Sequence, residues 1–146
     1  MDTKNWALEK AGQIEDDFEG FDDEMIFELT DGSIYYQKNY KYHYYYAYRP
    51  NVKIYNTDFA KILVVDGIDD YVEVEQATAI QSKIINNFNG WSGNTIFELQ
   101  NGQIWKQAKY QYKYFYANRP NVLIVKVGSK YIMSVKGKTI QVIRIR

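Results

Sequence analysis

Slid against itself by 70 positions, the sequence matches without a gap from Ile14–Glu75 onto Ile84–Ile145, with 24 identities in 62 pairs. Self-similarity at one fixed offset marks a duplicated structural unit. Whatever the first half folds into, the second half must also fold into, and each has only about 70 residues to do it. Ile26-Phe27-Glu28-Leu29-Thr30-Asp31-Gly32 returns as Ile96-Phe97-Glu98-Leu99-Gln100-Asn101-Gly102. Tyr40, Tyr42, Tyr44, Tyr46 and Ala47 return as Tyr110, Tyr112, Tyr114, Tyr116 and Ala117, and Arg49-Pro50-Asn51-Val52 as Arg119-Pro120-Asn121-Val122. The expected division is an acidic repeat over residues 1–75 and a basic repeat over residues 76–146.

The chain as a whole carries 18 Lys/Arg and 18 Asp/Glu, a balance that hides a strong asymmetry. Residues 1–75 hold 7 Lys/Arg against 17 Asp/Glu, and residues 76–146 hold 11 against 1. The copies have therefore diverged to net charges of −10 and +10. Opposite charges of this size either attract each other or divide the surface between different partners.

Within one repeat the pattern is that of short strands separated by turns. Phe97-Glu98-Leu99 alternates apolar and polar, the period of a half-buried strand. Asp31-Gly32 and Asn101-Gly102 follow as hairpin signals of the type in which both central residues take positive φ. The tyrosine runs also have period two. Pro50 and Pro120 interrupt the ladder, so strands restart at Val52–Tyr55 and Val122–Val125. Lys61–Val65 and Tyr131–Val135 come next, and Gly67 and Gly137 turn the chain into last strands at Tyr71–Glu75 and Thr139–Ile145. Five or six strands in so short a repeat remove their edges most readily by closing into a small barrel. Ahead of each barrel, Trp6–Gln13 and Ala77–Ile85 contain good helix formers and few breakers, and predict a short helix.

Gly90-Trp91, followed by Leu99-Gln100-Asn101-Gly102-Gln103-Ile104-Trp105, resembles a pattern of small bacterial SH3-like β-barrel modules. Gly128-Ser129-Lys130-Tyr131 and Val142-Ile143-Arg144-Ile145 stand where those modules have a "glycine-x-tyrosine" strand and a final Val/Ile/Arg-rich strand. The resemblance covers nearly all of the second repeat and, with Tyr35 in place of Trp105, more weakly the first. It implies a mainly β fold of two tandem SH3-like barrels and little chemistry. The tyrosine run is not part of that pattern.

Several function classes are excluded by composition. With no cysteine there is no disulfide framework, thiolate metal site or cysteine nucleophile. A single histidine, His43, excludes a multi-histidine metal site within one chain, and its counterpart is Lys113. The only charged residues common to both copies are Glu28 with Glu98 and Arg49 with Arg119. Each glutamate lies between Phe and Leu and is expected to point to solvent. Each arginine precedes proline, a turn position where guanidinium ties down loop carbonyls. Glu15-Asp16-Asp17 and Asp22-Asp23-Glu24 lack the alternating oxygen ligands of a calcium loop. No catalytic, metal or cofactor residues are therefore expected. The N-terminal residues have no apolar core of a signal peptide, and no stretch reaches the ~20 apolar residues of a membrane span. The expectation is a soluble, cytoplasmic protein.

The 15 tyrosines are far more than a domain of this size ordinarily carries. On an extended strand Tyr40, Tyr42, Tyr44 and Tyr46 share one face, as do Tyr110, Tyr112, Tyr114 and Tyr116. Such a row suits cross-strand packing. It also suits contact with a protein partner or a second copy, because each ring offers large area and a hydroxyl at low entropic cost. Aromatics interleaved with Lys113 and Arg119, with Trp105 nearby, alternatively suit single-stranded nucleic acid or a nucleotide on residues 76–146. The candidate contact residues are these eight tyrosines with Arg49, Trp105, Lys113 and Arg119.

Overall fold

The ladder that begins the first repeat is made by a segment with helix-forming composition. In the computed structural model, which describes residues 5–146, Ala7–Gln13 is strand β1, paired antiparallel with Asn51–Asn56 (β6). The opening residues 1–4, read above as lacking a signal core, lie outside this description. The first unit continues with Asp17–Phe21 (β2), Ile26–Glu28 (β3), Ile34–Gln37 (β4), His43–Tyr48 (β5), then β6, Lys61–Val65 (β7) and Val72–Ala77 (β8). Six of these form one curled sheet in the order β1-β6-β7-β8-β4-β3, and β2 with β5 forms a separate two-stranded ribbon. The sheet bends far enough for its two outer strands to meet at one bridge, Ile14 with Leu29. The Glu15 N–H donates to the Glu28 carbonyl and the Thr30 N–H to the Gln13 carbonyl, both at 2.8 Å.

The second unit repeats this plan. Its strands are Ile80–Lys83 (β9), Gly90–Trp91 (β10), Ile96–Glu98 (β11), Ile104–Gln107 (β12), Lys113–Tyr114 (β13), Asn121–Val127 (β14), Lys130–Val135 (β15) and Lys138–Arg144 (β16). The curled sheet runs β11-β12-β16-β15-β14-β9, β10 pairs with β13, and Ile84 meets Leu99. The division between the two half-barrel units falls between Thr78 and Ala79.

The helices expected at Trp6–Gln13 and Ala77–Ile85 are absent from both places. Propensity is a weak prior that tertiary pairing overrides. β1 gains a full ladder along β6, Gly12 disfavours helix, and Trp6 packs against Tyr55 and Tyr71 at 5.7 and 5.6 Å. In the second copy β9 plays the same part against β14, while Ala77 ends β8. The hairpins at Asp31-Gly32 and Asn101-Gly102 also differ from expectation. Only the glycines have positive φ (88° and 90°), the Gly32 N–H returns to Leu29 O, and the Leu29 N–H bonds Ser33 O. This is the three-residue loop with glycine in the left-handed position of a bulge, and Asp31 secures it by accepting from the Ser33 N–H at 2.9 Å.

The gapless match breaks down in the last strand. Ile62 pairs with Glu73, whereas its counterpart Ile132 pairs with Gln141. Val72 and Val74 therefore correspond to Ile140 and Val142, an offset of 68, not 70. Lys136 and Gly137, both at positive φ (53° and 80°), make a two-residue turn directly between β15 and β16. The first copy spends Asp66–Tyr71 on a wider loop and buries Ile68 from it.

Each unit has its own core. In the first, Phe18, Phe21, Phe27, Leu29 and Tyr35 pack with Val52, Ile54, Leu63, Val65 and Val72. In the second, Phe88, Trp91, Phe97, Leu99 and Trp105 pack with Val122, Ile124, Met133, Val135 and Ile140. A unit of this size buries only about 60% of its unfolded surface, so single losses matter. Phe97→Ala is expected to destabilise the second unit by about 3–5 kcal/mol. Urea unfolding followed by intrinsic fluorescence should show that unit melting first, and coincidence with the wild-type curve would contradict this packing.

Candidate functional site: two exposed tyrosine rows

The tyrosine rows run through the two small ribbons, whose strands hold Tyr44, Tyr46 and Tyr48 of the first row and Tyr114 of the second. In the first ribbon Phe18 of β2 faces Ala47 of β5 and Gly20 faces Tyr44, and the bulge between them lies in β5, where Tyr45 and Tyr46 stand opposite Glu19 alone. Gly20 makes this possible. Its φ is +100°, and a Cβ there would come within 2.0 Å of the His43 carbonyl oxygen. Gly90, at φ +88°, would meet Lys113 O at 1.9 Å. No side chain larger than hydrogen permits so close an approach.

From Lys41 to Tyr48 the chain alternates partly covered and exposed residues, and in the second copy it does so from Tyr114 to Ala117, whereas residues 110–113 are all exposed. Tyr45, half-buried, turns inward against the first core, and Phe115 does the same in the second, packing on Phe88 and Trp91 at 5.1 and 5.2 Å. The Tyr45 hydroxyl occupies the space above Gly67, where a Cβ would lie 2.2 Å from it. The other face is solvent. Tyr40, Tyr42, Tyr44, Tyr46 and Tyr48 are exposed, and so are Tyr110, Tyr112, Tyr114 and Tyr116, at 54% to 81%. All eight tyrosines singled out from the sequence are thus exposed, on the two ribbons and the segments that flank them. Tyr48 extends the first. It is in phase with the others and was missed because its counterpart is Asn118. Trp105 is not part of either surface. It is 1% exposed, with its indole N–H donating to Gln103 Oε1 at 3.0 Å.

The row ends are tied to the barrels by residues common to both copies. Gln107 Oε1 accepts from the Gly93 N–H at 2.7 Å, and its amide donates to Lys109 O and Gln111 O at 3.0 and 2.8 Å. Gln37 donates likewise to Asn39 O at 2.7 Å. At the far end Arg49 and Arg119 adopt left-handed backbone, φ 47° and 46°, immediately before Pro50 and Pro120. Non-glycine residues there carry of order 1–3 kcal/mol of strain. The turn is held because Ile14 and Ile84 donate their N–H groups to the two proline carbonyls, at 2.9 and 3.0 Å.

The two rows differ in electrostatics. Arg49 is engaged: its Nε donates to Glu15 O at 3.0 Å, and its guanidinium lies 3.7 Å from the Glu15 carboxylate. The residue corresponding to Glu15 in the second copy is Ile85, and the Arg119 side chain is exposed. Asp17 and Glu19 flank the first row. The charge of Asp17 is the main reason that the Tyr46 hydroxyl holds its proton to higher pH than usual. Their counterparts beside the second row are the neutral Asn87 and Asn89. On the inner side of the first row, Lys41 Nζ lies 2.5 Å from Asp70 and 4.8 Å from the Tyr71 ring centre, and His43 Nδ1 is 3.6 Å from Asp70. Lys113, the counterpart of His43, is exposed.

Of the two shared glutamates only Glu28 departs from expectation. Glu98 is exposed, but Glu28 is half-buried, and its pKa is raised by burial first and by Asp16 and Glu15 second. Among the described residues no group of three or more His, Asp or Glu is placed to hold a metal ion. No described helix is long and apolar enough to cross a membrane. Comparison with protein-family models, curated proteins and solved structures finds no match to this chain.

Two carboxylates of the acidic unit give opposite pH signatures. Burial raises the pKa of Asp70, but hydrogen bonds from Lys41, the Tyr71 amide and His43 outweigh it and hold it below the ordinary 3.8. Its contribution to stability is present above the unfolded pKa and is lost as pH falls through the folded one. Asp70→Asn is expected to lower the Tm at pH 7 and to cost progressively less toward pH 2. Glu28, shifted upward from 4.5, works the other way and is destabilising when ionised. Glu28→Gln is expected to raise the Tm at pH 7 and leave it unchanged at pH 3. Thermal melts of the two variants across this range check both signs.

Proposed function

We propose that this chain is a non-catalytic binding protein of two SH3-like barrels, with the tyrosine rows as its contact surfaces. The observation that carries the reading is the exposure of nine tyrosines on the two ribbons and the segments that flank them. A contiguous apolar surface left in water is unfavourable for a protein that acts alone, and marks an interaction site. Tyrosine is the side chain best suited to it, since a ring with two torsions loses little entropy when covered and its hydroxyl satisfies polar groups of the partner. Support for a role without catalysis comes from the polar residues that both copies retain. Gln37, Gln107 and Arg49 act on the backbone of turns. The SH3-like assignment is supported by the curled, barrel-like sheets and by the Leu99–Trp105 pattern.

A second reading concerns the second row alone. It is flanked by Asn87 and Asn89, carries the exposed Lys113 and Arg119, and so offers stacking rings without a repelling carboxylate. That composition is compatible with single-stranded nucleic acid.

Replacing Tyr44, Tyr46, Tyr112 and Tyr114 by Ser is expected to change stability by no more than ~0.5 kcal/mol for each exposed site. The same protein should lose the partners that wild type retains in quantitative cross-linking from its own cells. Loss of the fold would make the rows structural, and unchanged partners would remove the reading. For the second reading, fluorescence anisotropy with a labelled single strand should give an affinity that falls steeply with salt, and Lys113→Glu with Arg119→Glu should weaken it.

A further inference from the structure

The duplication produced two tyrosine rows with the same two-residue repeat in the sequence, and then gave them opposite surroundings. The first presents five exposed rings at alternate positions and the second presents four. Asp17 and Glu19 border the five-ring row, and its arginine, Arg49, is already paired with Glu15. The four-ring row has asparagines at those places, and the replacement of Glu15 by Ile85 leaves Arg119 exposed beside the exposed Lys113.

We propose that the acidic tyrosine row of one chain docks on the basic tyrosine row of a second copy, so that the protein assembles head to tail. This rests on the reading of the rows as contact surfaces and names their partner. Charge decides between the possible pairings. Acidic row on acidic row brings Asp17 and Glu19 against their own equivalents, and basic row on basic row does the same for Lys113 and Arg119. Like charges set against each other across an interface cost several kcal/mol. The mixed pairing removes both penalties and places Lys113 and Arg119 near carboxylates. It is also heterologous. Each contact leaves one row of each kind uncovered at the two ends, so association continues to a ring or a filament. The charges around the rows reinforce it, because residues 1–75 carry −10 and residues 76–146 carry +10.

Sedimentation of the full chain tests this. At roughly 0.1 M salt the average mass is expected to rise with concentration to at least twice the 17.3 kDa of one chain. It should fall back toward one chain at roughly 1 M, where the Debye length shrinks from about 10 to about 3 Å. Two variants separate the rows: Tyr44→Ser with Tyr46→Ser, and Tyr112→Ser with Tyr114→Ser. Each alone should remain a monomer, and their mixture should form a one-to-one dimer that grows no further, since one intact row of each kind remains. Charge variants give the same test with every ring retained. Lys113→Glu with Arg119→Glu should abolish assembly, and mixing with an Asp17→Lys, Glu19→Lys chain should restore it. A wild-type chain that stays monomeric at low salt overturns the proposal, as does self-association of either tyrosine variant by itself. A monomer that binds a labelled single strand through the second row also overturns it, while leaving the rows as contact surfaces. The cross-linking experiment tests that broader reading separately.

Discussion

The passage of one strand directly over a glycine is the constraint on which the outer face of this protein depends. The carbonyls of His43 and Lys113 lie where the Cβ of any other residue would be at Gly20 and Gly90. That contact fixes the height and phase of the segment that follows. Because the phase is fixed, Tyr45 and Phe115 must turn inward and the tyrosines on either side must turn out. A shift by one residue would exchange the faces. It would bury hydroxyls without partners and expose the rings that now close each core. The exposure of the rows is thus a consequence of backbone packing several residues away, reinforced by Gln37 and Gln107 at one end and the Arg-Pro turns at the other.

Duplication kept this frame and changed what surrounds it. The cores exchange Phe21 for Trp91, Tyr35 for Trp105 and Leu63 for Met133, substitutions that preserve an aromatic or aliphatic filling of similar extent. The surface shows the opposite tendency. Carboxylates that pair with Arg49, Lys41 and His43 in the first unit have no acidic equivalents in the second, where Ile85 replaces Glu15 and Glu98 is the only acid from residue 76 onward. Two units with one backbone plan consequently offer the same rings in opposite electrostatic settings.

Much of this was legible from residues alone. The duplication, the positions of β7 and β15, the strand restarts after proline and the shared face of the tyrosines all follow from periodicity and punctuation. Periodicity does not say which face of a strand is covered, so the exposure of the rows could be read only from the fold. β1 and β9 are strands in spite of helix-forming composition, because local propensity is silent about a partner strand some 40 residues away. The change of offset in the last strand was invisible for a simpler reason. Val142 matches Val72 at an offset of 70 and Val74 at 68, one identity in either alignment. Only the pairing partners of Ile62 and Ile132 distinguish them. The identity of Gly20 with Gly90 is visible in the repeat comparison, and its meaning lies in a clash that requires coordinates to see.

Both curled sheets are closed by a single bridge, Ile14 to Leu29 and Ile84 to Leu99, while their other strand pairs are joined by longer ladders. Opening free energies vary across a structure, and a seam held by few hydrogen bonds lies at the low end. Amide hydrogen exchange would enter each unit there before it reached the β6-β7 or β14-β15 ladders. Chain continuity then gives the seam a second significance. β2 starts three residues beyond Ile14, and β10 six beyond Ile84, so the weakest closure in each unit adjoins the strand that carries its ribbon. Transient parting of the seam would loosen the mount of the tyrosines and leave the central meander intact, a division of each small unit into a persistent scaffold and a more readily released outer flap.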